Sequence, residues 1–420
     1  LESIFLDSSD KFNPQKVEFD NVVDFKIPIL RQVSRNFEGN ASSSMIEHFK
    51  NFCVKNSYWL DEYSQYWALR EENKHASWIS WESRYPCNTN LVQEAKVIQF
   101  IFHDQWNRLH DHCRDKGIQI VGDMPIYVGY DSSDVYFNKN LFQLDNEGRM
   151  IYQGGCPPCE YQEKGQLWGN PLYDWDNHEK TNFNWWKQRF KKIFEMVDIV
   201  RLDHFIGYVK YYRIPKDSIT AENGEWIEAP GEKLFQVLKS GFSNFNVFSE
   251  DLGNVTEDVI SLRDKYSFPG MRILQFELEN MSPEESFSEN SVVCTGTHDN
   301  STTLGWFNSL PDSTRNGDSL TKNKLLEFFQ CTKDNIHWEI INYALSTASS
   351  IVIIPMQDVL GLSSSSRFNT PGTLSTDNWS WRVREDALIQ PLKTKLAGLT
   401  INHKRNILAM NNSLKEKLKS

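Results

Sequence analysis

Two kinds of hydrophobic spacing divide the chain. Up to about residue 118, apolar side chains recur every three or four positions, the repeat of a helix that buries one face. Tyr58, Trp59, Tyr63, Tyr66, Trp67 and Leu69 mark one such helix over Asn56–Glu72. Val97, Phe100, Ile101, Trp106 and Leu109 mark a second, from about Leu91 to Lys116, and Gly117 stands where it should stop. Beyond that point the pattern changes to short apolar runs that close in polar or glycine residues. They are Ile118–Ile126, Asp198–Phe205, Asn246–Leu252, Met271–Glu277, Ser291–His298 and Ile351–Val359. Helical or irregular stretches separate most of them, which predicts parallel strands buried on both faces. The end of the chain predicts a solvated helix carrying Lys404, Arg405, Lys415, Lys417 and Lys419.

Six strands fit two α/β architectures. An open doubly wound sheet can hold six, but no glycine-rich phosphate loop follows any of them, so a dinucleotide fold has no fingerprint. A (β/α)8 barrel needs two more strands, and the helical first 118 residues do not provide them.

Composition narrows the function. The chain has 420 residues, 39% apolar and 24% charged, with a formal charge of −11, which describes a globular protein rather than a disordered tail. The acidic balance disfavours nucleic acid as a partner. No apolar run approaches the ~18 residues of a membrane span, the best being strand-sized Ile351–Met356. The sequence begins Leu1-Glu2-Ser3-Ile4 without an initiator Met or a secretory signal pattern. Seven scattered cysteines suit a reducing cytosol better than a disulfide framework. Aromatic residues make up 13% of the chain, including 14 Trp, and aromatic faces stack on sugar rings as well as in ordinary cores.

Several of the predicted strands close in an acid. Asp123 follows Ile120-Val121-Gly122, Asp203 follows Ile199-Val200-Arg201-Leu202, Glu250 and Asp251 follow Val247-Phe248-Ser249, Asp299 follows Thr297-His298, and Asp358 follows Met356-Gln357. In a parallel barrel all the C-terminal strand ends meet at one face, where the chemistry takes place. A single such acid is weak, because an Asp after a strand often caps a helix or forms a turn. Three of them, with Arg201 two residues before Asp203, match glycosyl transfer through an oxocarbenium-like state. One carboxylate attacks the anomeric carbon, a second acid kept protonated by its surroundings serves the leaving oxygen, and a third holds ring hydroxyls. An Arg beside the nucleophile keeps it ionised. For retention the nucleophile and acid lie ~5–5.5 Å apart. This reading does not by itself say which acid does which job. Glu250 and Asp251 are adjacent and point opposite ways from an extended strand, so one of them faces the reacting bond, and Glu250 is chosen.

These residues resemble a known family. Asp198-Ile-Val-Arg-Leu-Asp-His-Phe205, Ser249-Glu-Asp-Leu-Gly253 and Gly296-Thr-His-Asp-Asn300 are similar to the barrel motifs of 4-α-glucanotransferases (amylomaltases or disproportionating enzymes, relatives of the α-amylases). Gly122-Asp-Met-Pro-Ile-Tyr-Val128, Gln166-Leu-Trp-Gly-Asn-Pro-Leu-Tyr173, Met356-Gln-Asp-Val-Leu-Gly-Leu362, Arg367-Phe-Asn-Thr-Pro-Gly372 and Asn378-Trp-Ser-Trp-Arg382 match in the family's order. Together they span roughly residues 55 to 385. The resemblance implies Asp203 as nucleophile, Glu250 as acid/base and Asp299 as transition-state stabiliser. Arg201 would orient and ionise Asp203, and His298 would bind a ring hydroxyl. Gln166, Trp168, Asp123, Asn300, Asn369 and Tyr161 are the substrate-binding candidates.

The fold implied is a (β/α)8 TIM-type barrel with helical insertions, here missing the first two barrel strands and the Ser-Pro-Tyr loop that follows the second. Residues 1–117 would form a mostly helical subdomain before the third barrel strand. Residues 118–420 would supply barrel strands 3–8, with a substrate-covering loop region around 130–190. The activity implied is transfer of α-1,4-glucan segments between maltooligosaccharides or starch by a retaining double displacement. A hydrolase on the same carboxylates and an inactive, truncated glucan-binding remnant are the alternatives. Donor and acceptor glucans are the expected partners, with no nucleic acid, membrane, metal or organic cofactor. The expected location is the cytoplasm, or a plastid if a missing N-terminus carried a transit peptide.

Other motifs read more plainly. Cys156-Pro-Pro-Cys159 is stiff, has no second Cys/His pair at zinc spacing, and reads as loop structure rather than a redox or metal site. It also puts Cys where relatives usually place Asp, in the loop that leads to Tyr161. The aromatic helix at 58–67 reads as a packing face. Trp168, between Gly165 and Gly169, reads as a loop residue open to sugar. Asp123 reads as a hydrogen-bond partner of backbone or Arg201 near the barrel top, and Asp358 and Asn369 as supporting or sugar-contact residues.

Overall fold

The computed structural model describes residues 12–82, 85–86, 88–159, 162–279, 287–312 and 320–405. The chain forms two compact units, one of residues 24–266 and one of residues 1–23 with 267–420.

The first unit contains the two expected helices, preceded in the chain by the helix Phe19–Arg35 and the single turn Phe37–Asn40. The expected pair runs over Ser43–Glu72 and Thr89–Asp115, the first starting thirteen residues earlier than its aromatic repeat suggests. Ser42 caps it by accepting the Met45 N–H, which satisfies one of the amides left without an intrahelical partner. Phe49, Phe52 and Leu60 of one helix pack with Val97 and Phe100 of the other. Gly117 ends the second helix at φ +69. Three parallel strands follow: β1 (Val121–Met124), β4 (Ile199–Leu202) and β7 (Val247–Ser249), in the order β1-β4-β7. β4 alternates, with Val200 and Leu202 fully buried and Arg201 on the opposite face.

A second sheet lies in the same unit. Strands β2 (Tyr152–Cys156), β3 (Gln166–Pro171), β5 (Lys210–Pro215) and β6 (Glu225–Glu228) form an antiparallel sheet in the order β3-β2-β5-β6. It corrects the reading of Trp168 as a loop residue, because Gln166 and Trp168 lie on β3. The strands escape a search for apolar runs because polar and glycine residues interrupt them. Gly155 shows why glycine is needed: a Cβ there would come within 2.1 Å of the Gln166 carbonyl oxygen across the β2–β3 pair.

The other unit holds β8 (Gly270–Ile273), β9 (Ser291–Cys294) and β10 (Ile351–Ile353), again parallel, in the order β8-β9-β10. Two of the expected strands are half helix. The run Met271–Glu277 turns into the helix Leu274–Glu279, whose Leu274 and Leu278 are buried one turn apart. The run Ile351–Val359 stops before Pro355, which cannot donate to a strand ladder, and Met356–Val359 is a helical turn. Leu274, Leu278, Val293, Trp306, Phe307, Ile336 and Ile340 form the core beside these strands. The helix Gln390–Asn402 packs Leu392, Leu396 and Leu399 against Trp338, Ile341 and Leu345, and Lys415, Lys417 and Lys419 of the expected solvated helix lie outside the described residues.

Candidate active site

Strand register assembles the first cluster. β1 and β4 pair Asp123 with Arg201, and β4 and β7 pair Arg201 with Phe248. Asp203, two residues past Arg201, returns to the Arg201 face, and carrying the register on by two residues sets it beside Glu250. The side chains meet as that predicts. Arg201 Nη1 donates to both oxygens of Asp123 at 2.7 and 2.8 Å and to Asp203 Oδ1 at 3.1 Å. Arg201 Nη2 pairs with Glu250 Oε2 at 2.7 Å. The Ile126 N–H reaches Asp203 Oδ2 at 3.4 Å.

One guanidinium therefore serves three carboxylates, and the charges do not balance. Burial pushes the Glu250 carboxyl up to about 7; Arg201 opposes the shift, and Asp203 adds to it. Burial also works against the Arg201 charge, but Glu250, Asp123 and Asp203 more than offset it, so Arg201 stays ionised. The result is one acid that holds a proton near neutrality beside a cation that never gives one up.

His204 shapes this cluster through its backbone. It sits at φ 44, ψ 58, a left-handed conformation that strains a non-glycine residue, and its N–H donates to Glu250 Oε2 at 2.8 Å. Burial lowers the pKa of its imidazole, which favours the neutral form. The His204 N–H and the Arg201 guanidinium thus both meet Glu250 at Oε2. The His204 ring lies edge-on to Trp168 at 5.0 Å, and the Trp168 indole N–H is held by Gln166 Oε1 at 2.9 Å. Asp251 turns the other way, into a buried pair with Arg263. A cavity of about 820 Å³ runs along β1 in this unit. Asp123 is on its wall, and so are Tyr58, Trp59 and Tyr63 of the aromatic helix.

The second cluster lies in the other unit. His298, Asp299 and Asn300 occupy the loop after β9. Asn369 Nδ2 donates to Asp299 Oδ1 at 2.7 Å, its own N–H donates to the His298 carbonyl at 3.0 Å, and His298 Nε2 lies 3.4 Å from Asp299 Oδ2. Arg367 donates to the Asp299 carbonyl and, at 2.7 Å, to that of Asn369. Trp379 packs over the His298 ring at 5.0 Å. Asn300 Oδ1 accepts from the Thr297 N–H and hydroxyl at 3.0 and 2.7 Å, so it braces the loop. Asp358 is 1% exposed and its two oxygens accept from the Thr295 hydroxyl and the Thr303 N–H, which removes it as a sugar contact.

Arg201, Asp203, Glu250 and Asp123 thus form one cluster, with Gln166 and Trp168 reached through His204. His298, Asp299, Asn300 and Asn369 form the other. Tyr161 lies outside the described residues. His204, Arg367 and Trp379 gained no role from the sequence, although each stands within a matched motif. Among the described residues no group of three His, Cys, Asp or Glu is placed to hold a metal ion. No helix of the described residues is long and apolar enough to cross a membrane.

Residues 2–388 match a family profile described as 4-alpha-glucanotransferase. The chain belongs to that family. A 4-alpha-glucanotransferase of Synechocystis is 37% identical over 97% of this chain and 83% of its own length. One from Clostridium butyricum is 36% identical over 92% and 81%. The chloroplastic/amyloplastic 4-alpha-glucanotransferase of Solanum tuberosum is 36% identical over 88% and 66%. Among solved structures, amylomaltase from Streptococcus agalactiae in complex with acarbose superposes with a TM-score of 0.87 and 29% identity, over 94% of this chain and 81% of that one. Like these 4-alpha-glucanotransferases, the protein is an enzyme that transfers hexosyl units of glucans. Its fold class is the expected α/β barrel type, with six parallel strands among the described residues. The hydrolase and inactive-remnant alternatives are not favoured.

Proposed function

We propose that the protein transfers α-1,4-glucan segments from a maltooligosaccharide or starch donor to the 4-hydroxyl of a second glucan, by retaining double displacement. Asp203 attacks the anomeric carbon as the bond to the leaving 4-oxygen breaks, and Glu250 gives that oxygen its proton. Glu250, now ionised, takes the proton of the acceptor 4-hydroxyl, which displaces Asp203 and restores both groups. Asp299 holds ring hydroxyls in the distorted, positively charged state, and His298 adds a further hydroxyl contact. Trp168 offers a ring face to the donor, with Gln166 fixing its orientation.

The observation that carries this reading is the Arg201 fork, which holds Asp203 and Glu250 on one cation while burial keeps Glu250 protonated near pH 7. Asp123, paired to the same fork, acts by steadying Arg201. Free thiols throughout the described residues support the cytoplasm as the location, and the potato relative's printed name keeps a plastid as the alternative.

Product analysis on maltotriose tests the reaction. Glucose together with a ladder of chains longer than the substrate is the expected result. Glucose and maltose without longer chains would show hydrolysis and end the transfer reading.

A further inference from the structure

The loop 296–302 carries His298 and Asp299, and its two flanking residues share one buried anchor. Asp358 accepts the Thr295 hydroxyl at 2.6 Å, at the end of β9, and the Thr303 N–H at 2.6 Å, at the start of the helix Thr303–Ser309. The Thr303 amide is one of the helix-start N–H groups that lack an intrahelical acceptor. Asp358 itself is fixed, because it sits one turn after β10, the strand paired with β9, and is 1% exposed. Within the loop, Gln275 Nε2 holds the Ser301 carbonyl at 2.9 Å, and Asn300 closes on Thr297. A loop pinned at both ends has few conformations left to lose when substrate binds, which is how a distant group sharpens a reactive geometry.

We infer that Asp358 is a positioning residue for transfer: by binding both ends of the 296–302 loop it fixes where Asp299 meets the sugar. The inference rests on the proposed role of Asp299. Burial raises the Asp358 pKa, and its two short donors oppose that shift. A carboxylate accepts from both donors at once. An amide in its place has one oxygen and turns an NH2 group toward one of the two donors.

Three variants and one control decide the matter, each with kcat and KM on maltotriose and a melting temperature. Asp358→Asn should lower kcat about 10- to 100-fold, the scale of an ångström-sized misplacement, while KM moves no more than about twofold, because the ground-state contacts remain. Thr295→Val deletes one anchor and leaves the carboxylate, so it should lower kcat in the same sense by a smaller factor. Thr295→Ser restores the hydroxyl and should recover most of that loss. Asp299→Asn is the control. If it loses turnover while folded Asp358→Asn and Thr295→Val keep kcat, or if Thr295→Ser is as slow as Thr295→Val, the positioning role is overturned. If Asp299→Asn itself keeps full kcat, the assignment of Asp299 fails and the clamp has no catalytic target. Should Asp358→Asn not fold, the two Thr295 variants carry the test alone.

Discussion

Replacing Arg201 by Lys keeps the charge and removes the fork, and the structure fixes what that should do. Nη1 serves both aspartates while Nη2 serves Glu250. A single ammonium on a different stem cannot reproduce that planar spread, so at least one carboxylate loses its partner. A hydrogen bond to a charged group is worth about 1.5–3 kcal/mol, so kcat/KM should fall roughly 10- to 150-fold at a tenfold loss per 1.36 kcal/mol. The pH profile carries the sharper signature. Glu250 must be protonated to serve the leaving oxygen, so kcat/KM falls as pH rises through its pKa, about 7 in the folded enzyme. After burial, Arg201 is the largest influence on that pKa, and it acts downward. Weakening the contact raises the pKa, and the alkaline limb moves to higher pH. The lysine variant should therefore be slower at every pH yet keep a larger fraction of its own maximum at pH 8. Glucose release from maltotriose at low substrate, measured between pH 5 and 9, reads both effects. A limb that stays in place, or moves to lower pH, would refute the electrostatic link between Arg201 and Glu250.

Two further outcomes follow from the same cluster. The folded state holds the Glu250 proton up to about pH 7 while an unfolded chain releases it near the ordinary glutamate value of ~4.3, so stability falls as pH rises between them. Glu250→Gln has no such proton, so the wild-type melting temperature should drop between pH 5 and 7.5 relative to the variant; parallel curves would contradict the raised pKa. His204→Gly keeps the left-handed backbone at φ 44 and the N–H to Glu250 but loses the ring against Trp168. Its alkaline limb should stay near 7 while KM for maltotriose rises severalfold, and a displaced limb would show that the imidazole, not the amide, tunes Glu250.

Much of this is legible in the sequence, for reasons that differ by element. The six parallel strands announce themselves because burial on both faces demands apolar runs, unbroken in Val292–Cys294 and interrupted by Arg201 alone in Ile199–Leu202. Their ends were harder to place. Leu274–Glu279 and Met356–Val359 look strand-like by hydrophobicity, and a proline or a one-turn spacing decides otherwise. The antiparallel sheet stays hidden because its strands are stitched from Gly154, Gly155, Gly169 and scattered aromatics, and its central β2–β5 pairing joins residues far apart in the chain, such as Tyr152 with Pro215. Asp203 and Glu250 were readable as strand-end acids, and register explains why they share Arg201. What no spacing rule reveals is a role played by the main chain, such as the His204 amide on Glu250. Nor does spacing separate a sugar contact from a buried clamp, as with Asp358, until exposure is known.

The central claim is that Asp203 becomes covalently bonded to the donor sugar. An α-maltosyl fluoride donor tests it directly in Glu250→Gln, because fluoride leaves without a proton while the second step still lacks its base. Intact-protein mass spectrometry should show one added maltosyl unit, and peptide mapping should place it on Asp203. An unmodified protein that still consumes the fluoride, or a label on Asp123 or Asp299, would contradict the mechanism.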